Sequence, residues 1–166
     1  MGRGFTQYTY LDGDLPDELT LRSAYLHYIL DDGVRLHINQ ADYYCPTCGH
    51  FIVGERIETV SDLEHQIDQS ENNPHSNHRK IAEYFGNIPK QLAELQTRIK
   101  WRKNRQAPPK CLHCGSTEIL PIPNTDEFSH PATGQRMIVS AGGFASTDEW
   151  HATYTPEGDK IESSGR

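Results

Sequence analysis

The sequence predicts an α+β protein in which a small antiparallel β-sheet is interrupted by a helical insertion. Three observations carry this. Short runs rich in β-branched and aromatic residues occupy residues 24–53, with Asp32-Gly33 as an internal turn. A stripe of helical period follows at Ile88, Leu92, Leu95 and Ile99. Two Cys-x2-Cys pairs, Cys45/Cys48 and Cys111/Cys114, stand on either side of that stripe, each between strand-like runs.

Taken in order, residues 1–20 are polar and turn-rich (Asp12-Gly13-Asp14, Pro16) and read as a flexible N-terminal segment. Residues 21–155 read as one domain and 156–166 as a polar C-terminal tail. Ala24–Leu30 and Val34–Asn39 form the arms of a β-hairpin turned by Asp32-Gly33. In the second arm Val34, Leu36 and Ile38 alternate with Arg35, His37 and Asn39, the pattern of a half-buried strand. Tyr43–Val53 enters as a strand, turns through the first cysteine pair and leaves as a strand. The insertion spans residues 61–109. Ser61-Asp62-Leu63-Glu64 has the spacing of a capping box, so a helix is expected to start at Ser61. A second helix has Asn87 near its cap and Pro89 in its first turn, and Pro108-Pro109 stop it. Its apolar stripe is expected to lie on the sheet. Beyond the second pair, strands are expected around Met137–Ser140 and Trp150–Tyr154, with Gly142-Gly143 as a bend between them.

The core available to this chain is thin. Leu, Ile, Val and Phe number 33 of 166 residues, about a fifth, the proportion at which a globular chain usually needs a staple. The cysteines are the candidates. No apolar leader opens the chain, and no stretch approaches the roughly 18 apolar residues of a membrane span, so no membrane role and a cytoplasmic setting are expected. The first six residues do match the loose myristoylation pattern, with Gly2 and Thr6. In a reducing compartment, paired Cys-x2-Cys motifs read as metal ligands rather than disulfides.

Zn²⁺ takes four soft ligands in a tetrahedron, and two residues between cysteines let both sulfurs of a pair face one ion. A glycine follows each pair, Gly49 and Gly115, where the turn is tightest. Cys-x-x-Cys-Gly pairs of this kind resemble the knuckles of zinc ribbons and rubredoxin-like domains. The resemblance covers Tyr43–Val53 and Lys110–Ile122, and it implies one structural zinc held by Cys45, Cys48, Cys111 and Cys114. The alternative it leaves is a rubredoxin-type iron site with an electron-transfer role. The knuckles lie 62 residues apart, beyond the roughly 15–20 of the compact arrangement, which is why the intervening segment must be an insertion. His50 and His113 flank the knuckles as possible substitute ligands or as ordinary neighbours of the site.

Charge is uneven. Arg79–Lys110 holds nine Lys/Arg and two acids, a local +7 in a chain of net −7. This stretch serves either an anionic partner or the protein's own acidic surface. Trp101 falls roughly opposite the apolar stripe, among Arg98, Arg102 and Arg105. Lys90, Arg98, Trp101, Arg102 and Arg105 are therefore the candidate partner-binding residues: an indole among guanidiniums suits a protein hot spot or stacking on nucleic acid. The competing reading packs the indole onto the second knuckle or the C-terminal segment. A protein partner is preferred, because a chain of pI near 5.7 has little charge to spend on phosphates. No catalytic residue is assigned. Nucleases of the HNH type also carry paired knuckles around histidines, and His65, His75, Asn77 and His78 lie between the pairs here, but no carboxylate stands at a ligand spacing beside them.

Overall fold

A computed structural model describes residues 3–72 and 87–164, without the side chains of 72 and 87–89. The segment 73–86, which holds His75, Asn77 and His78, lies outside the described residues, as do Met1 and Gly2. The fold is α+β and mostly β-sheet. In place of one small antiparallel sheet, the described residues form three sheets, one of them mixed, and two helices.

The N-terminal residues correct the expectation of a flexible segment. Arg3–Tyr10 is strand β1, and Glu18–Leu21 is β2, paired antiparallel with it from Phe5↔Leu21 to Tyr8↔Glu18. Phe5 to Tyr10 is rich in Thr and aromatic residues, a strand composition that the turn-forming residues after it outweigh. The expected hairpin follows as β3 (Tyr25–Ile29) and β4 (Arg35–His37). Gly33 sits at φ +81°, and the Asp32 carboxylate accepts the Val34 N–H at 3.1 Å, an Asx turn. Leu36 and Ile38 are buried as the alternation requires, but Val34, beside the turn, is exposed. β5 (Gln40–Cys45) and β6 (His50–Glu55) form the strands of the first knuckle.

Helix α1 runs Val60–Asn72 and starts one residue before the Ser61 expected. Its capping box is Thr59/Asp62: the Thr59 hydroxyl accepts the Asp62 N–H at 3.0 Å and the Asp62 carboxylate accepts the Thr59 N–H at 3.3 Å. Helix α2 is Asn87–Asn104. It packs chiefly on α1, with a smaller contact to β4, and Leu92, Leu95 and Ile99 are half-buried on it.

Five strands complete the chain: β7 (Leu120–Pro121), β8 (Glu127–Ser129), β9 (Arg136–Ala145), β10 (His151–Tyr154) and β11 (Lys160–Ser164). Gly142 and Gly143 lie within β9, opposite Thr6 and Phe5, and are not a bend between strands. Within the polar C-terminal segment, after a turn closed by Gly158 (φ +86°), Lys160–Ser164 returns as an exposed edge strand on β10. The sheet orders are β2-β1-β9-β8, β11-β10-β3-β4 and β6-β5-β7, all antiparallel except the β10–β3 pair.

The interior is divided. One cluster gathers Leu26, Tyr28, Leu36, Ile38, Val53, Trp101, Leu112, Trp150, Ala152 and Tyr154. A second, aromatic cluster joins Tyr8, Phe51, Phe128 and Met137, with Tyr8 edge-on to Phe51 and Phe128 at 5.1 and 5.7 Å. Three buried phenols are held well above their ordinary range, in each case first by burial: Tyr8 also by Asp42, Tyr28 by Glu55, Tyr154 by Glu55 and Cys111. Burial and Glu18 push Tyr10 to about 12. An acid whose pKa is raised by folding contributes stability that is complete below its unfolded value, here 10.0, and is lost as pH rises past it. Stability is therefore expected to fall above about pH 10. In an alkaline absorbance titration, much of the tyrosinate signal should appear only together with loss of the near-ultraviolet dichroism. A smooth, independent titration that leaves the dichroism intact would refute this.

Candidate metal centre

Each knuckle is a chain reversal built by its own backbone. Cys45 ends β5, and after Pro46-Thr47-Cys48 the Gly49 N–H returns to the Cys45 carbonyl at 2.8 Å. In the second knuckle the Gly115 N–H bonds the Cys111 carbonyl at 2.9 Å. Both glycines lie in the left-handed region, φ +75° and +78°, which explains the glycine after each pair. The turns also aim amides at sulfur: Cys48 N–H at Cys45 Sγ (3.4 Å) and Cys114 N–H at Cys111 Sγ (3.5 Å).

The second knuckle reaches the first by pairing with β6. Cys111 forms an antiparallel bridge with Gly54, flanked by Glu55 N–H to Lys110 O (3.0 Å) and Leu112 N–H to Val53 O (3.3 Å). On its far side β7 pairs Leu120 with Tyr44. A Cβ on Gly54 would stand 2.7 and 2.9 Å from ring carbons of Tyr43 and 3.0 Å from Ile119. Tyr43 and Ile119 are the side chains packed around Cys45 and Cys111. Gly54→Ala is thus expected to displace the support of both knuckles and to weaken the metal roughly tenfold, as loss of supporting contacts usually does. Chelator competition measures this, and an unchanged affinity would show the site to be indifferent to that packing.

The four thiol sulfurs lie within 4.8 Å of one another, Cys45 and Cys111 buried, Cys48 half-buried and Cys114 exposed. Cys45 and Cys114 stand 3.6 Å apart and Cys48 and Cys111 3.9 Å, and all four are free cysteines. A tetrahedral ion with bonds to sulfur of about 2.3 Å separates its ligands by about 3.8 Å, so the donor set fits such an ion. Electrostatics agree. Burial first, with the neighbouring cysteines, holds the Cys48 thiol far above its ordinary value and pushes Cys111 to about 11. Cys114 is lowered: burial there opposes ionisation, but the Ser116 backbone and the other cysteines outweigh it. Ionising such a set together needs a cation among the sulfurs. With four thiolates bound, no coordination position is left for a water nucleophile.

Among the described residues no other group of three or more His, Cys, Asp or Glu side chains converges. His50 and His113 stand outside the cluster. The His50 ring bonds the Phe51 carbonyl at 2.9 Å, and His113 stacks on Trp150 at 4.8 Å. His113 is held below its ordinary pKa by burial and then by Lys160, His50 and Arg3. His65 is exposed on α1 beside Gln69.

The residues expected to meet a partner are placed differently from the reading of α2 as an open basic face. Lys90 is exposed and Arg102 half-buried, its Nε bonded to the Glu58 carbonyl at 3.1 Å. Arg98, Trp101 and Arg105 are buried. Arg98 caps the His37 carbonyl at 2.7 Å. The Trp101 indole lies 4.7 Å from the Tyr28 ring and donates its N–H to the Pro156 carbonyl at 2.8 Å. Arg105 clamps Glu55 through two 2.8 Å bonds and also reaches the Ala107, Pro108 and Pro156 carbonyls. These guanidiniums serve the protein's own backbone and one buried carboxylate. Glu55, missed in the sequence because a lone acid at a strand end carries no pattern, is the centre of that network.

No family model matches the chain, and neither a curated protein nor a solved structure matches it. Among the described residues no helix is long and apolar enough to cross a membrane.

Proposed function

We propose that this chain is a non-catalytic binding module: a zinc ribbon, interrupted by a helical insertion and closed by one structural Zn²⁺ on Cys45, Cys48, Cys111 and Cys114. The convergence of the four sulfurs carries the reading. Tetrathiolate iron shares this geometry. What favours zinc is the need for a staple: the apolar interior is split into separate clusters, and one of them is built around Cys45 and Cys111. Elemental analysis of the purified protein tests it. One zinc per chain and no visible colour support a structural site, whereas a red, iron-loaded protein would make it an electron carrier instead.

The partner we infer is a protein, and charge carries that inference. At net −7 the chain is poorly suited to phosphate backbones. With Arg98, Trp101 and Arg105 turned inward, α2 offers a partner its outer face, where Lys90, Lys100 and Lys103 are exposed. Anisotropy titrations with single- and double-stranded nucleic acid at low salt decide between the classes, since tight binding with a steep salt dependence would overturn the protein-partner reading.

A further inference from the structure

His130 follows β8 and opens the turn of the β8–β9 hairpin. Its N–H donates to the Gln135 carbonyl at 2.7 Å, and its carbonyl accepts the Gly134 N–H at 2.9 Å. The side chain, in a residue only 3 % exposed, closes the same turn a second time. Nδ1 accepts the N–H groups of Ala132 and Thr133, both at 3.1 Å. A neutral imidazole accepts through one nitrogen only, and here that nitrogen is Nδ1, so the ring proton sits on Nε2. An imidazolium carries protons on both nitrogens and accepts nothing. The closed turn and a second ring proton therefore exclude each other.

The surroundings favour the neutral ring. Aromatic side chains from three other strands wall it: Tyr10 of β1 nearly parallel at 6.2 Å, Tyr44 of β5 edge-on at 4.5 Å, and Phe51 of β6 at 5.2 Å. Glu18 of β2 is the neighbour whose charge favours the imidazolium, and it already accepts the Tyr10 hydroxyl at 3.1 Å and the Phe51 N–H at 3.5 Å. The Tyr10 phenol, pushed up to about 12, stays neutral throughout the acid range. On the hairpin itself Glu127 and Arg136 bond each other at 2.6 Å on the exposed side. Burial outweighs Glu18 and holds His130 below its ordinary value. A base lowered by folding contributes stability that is complete above its unfolded value, here 6.5, and is lost as pH falls through the folded one. Little else fixes the hairpin tip. β8 has three residues, its one buried side chain is Phe128, and among the described residues it pairs only with β9.

We propose that His130 is an acid-sensitive latch: as a neutral ring it holds the β8–β9 tip shut, and on taking a second proton from solvent it frees the tip and leaves its place between Tyr10, Tyr44 and Phe51. Tyr44 and Phe51 belong to the two strands of the first knuckle, so acid uncovers an aromatic face on those strands while the rest of the fold stands.

The test compares the full-length, metal-loaded parent with His130→Asn and His130→Phe at about pH 7.5 and about pH 5, on either side of the ordinary histidine value. Asparagine keeps an acceptor within reach of the amide two residues on and does not titrate. At the higher pH a long-range nitrogen–proton NMR spectrum of the parent should show the Nε2–H ring with Nδ1 bare. On acidification the exchange protection of the Ala132 and Thr133 amides, corrected for the intrinsic effect of pH, should fall roughly tenfold or more, the change that two lost hydrogen bonds predict. His130→Asn should hold its protection at both pH values, and His130→Phe should lack it at both. Leu26 and Tyr28, in the central strand β3, should keep theirs throughout, which separates release of the hairpin from unfolding or loss of the ion. A ring proton on Nδ1, titration at the ordinary value with the two amides unmoved, the same acid loss in His130→Asn, or equal loss at Leu26 and Tyr28 would each overturn the proposal.

Discussion

Replacing Cys111 with serine is expected to cost the protein its folded state at neutral pH, and not only its ion. Structural zinc contributes on the order of 10 kcal/mol to folding in small domains, as much as the whole net stability of a typical one. Cys111 is buried, it forms the bridge to Gly54, and the amide of Cys114 points at its sulfur. Losing it releases the second knuckle from β6 as well as from the ion. Cys114→Ser should be milder, because that side chain is exposed and no strand pairing depends on it. Far-ultraviolet dichroism during chelator titration and heating, compared across the two variants, measures this ordering. If Cys111→Ser melts like the parent, the metal is an ornament to a fold that stands without it.

Glu55→Gln should have the next largest effect, a loss of about 3–5 kcal/mol, the range for breaking one half of a buried ion pair. Glu55 and Arg105 have fully buried side chains. The carboxylate also accepts the Tyr28 hydroxyl and, at 3.0 Å, the Lys110 N–H. The amide leaves the Arg105 charge among carbonyls that already bind it, with only the more distant Glu157 carboxylate, 3.7 Å from its Nε, opposite it. The site has no room to relax, since a Cβ on Gly158 would lie 2.6 Å from Glu55 Oε1. Removing both charges with Glu55→Leu and Arg105→Leu is expected to recover much of the loss, because two apolar side chains leave neither charge stranded. Urea unfolding of the single and double variants gives the coupling directly. A single-variant cost below about 1 kcal/mol would show the pair to be incidental.

Which parts of this molecule could be read from its sequence follows from what kind of constraint each one satisfies. The cluster of four cysteines was legible because holding one ion would fix residue type and spacing together, and Gly49 and Gly115 bear out the turns. The hairpin at residues 25–37 was legible because its turn and its alternation are local. Strand β1 was not, since its partner β9 lies more than a hundred residues away and the turn-forming residues after it outweighed its Thr/Tyr content. The buried face of α2 misled for a different reason. Arginine at Arg98 and Arg105 counts as a solvent residue in any hydrophobic period, yet here the His37 carbonyl and Glu94 hold Arg98, and Glu55 with neighbouring carbonyls holds Arg105. Trp101 belongs to that face, and its neighbours disguised it.

The sheets have one further property in common: each draws strands from both ends of the chain. β1 and β2 wait for β8 and β9, β3 and β4 for β10 and β11, and β5 and β6 for β7. Only the helices and hairpins are local. Many contacts are therefore long-range, and loop-closure entropy must be met before those pairings form, so slow folding is expected. During synthesis no sheet can be completed until the C-terminal strands have left the ribosome. Throughout that interval Cys45 and Cys48 stand as half a ligand set with their partners not yet made, the moment at which this protein is most open to oxidation and to the wrong metal.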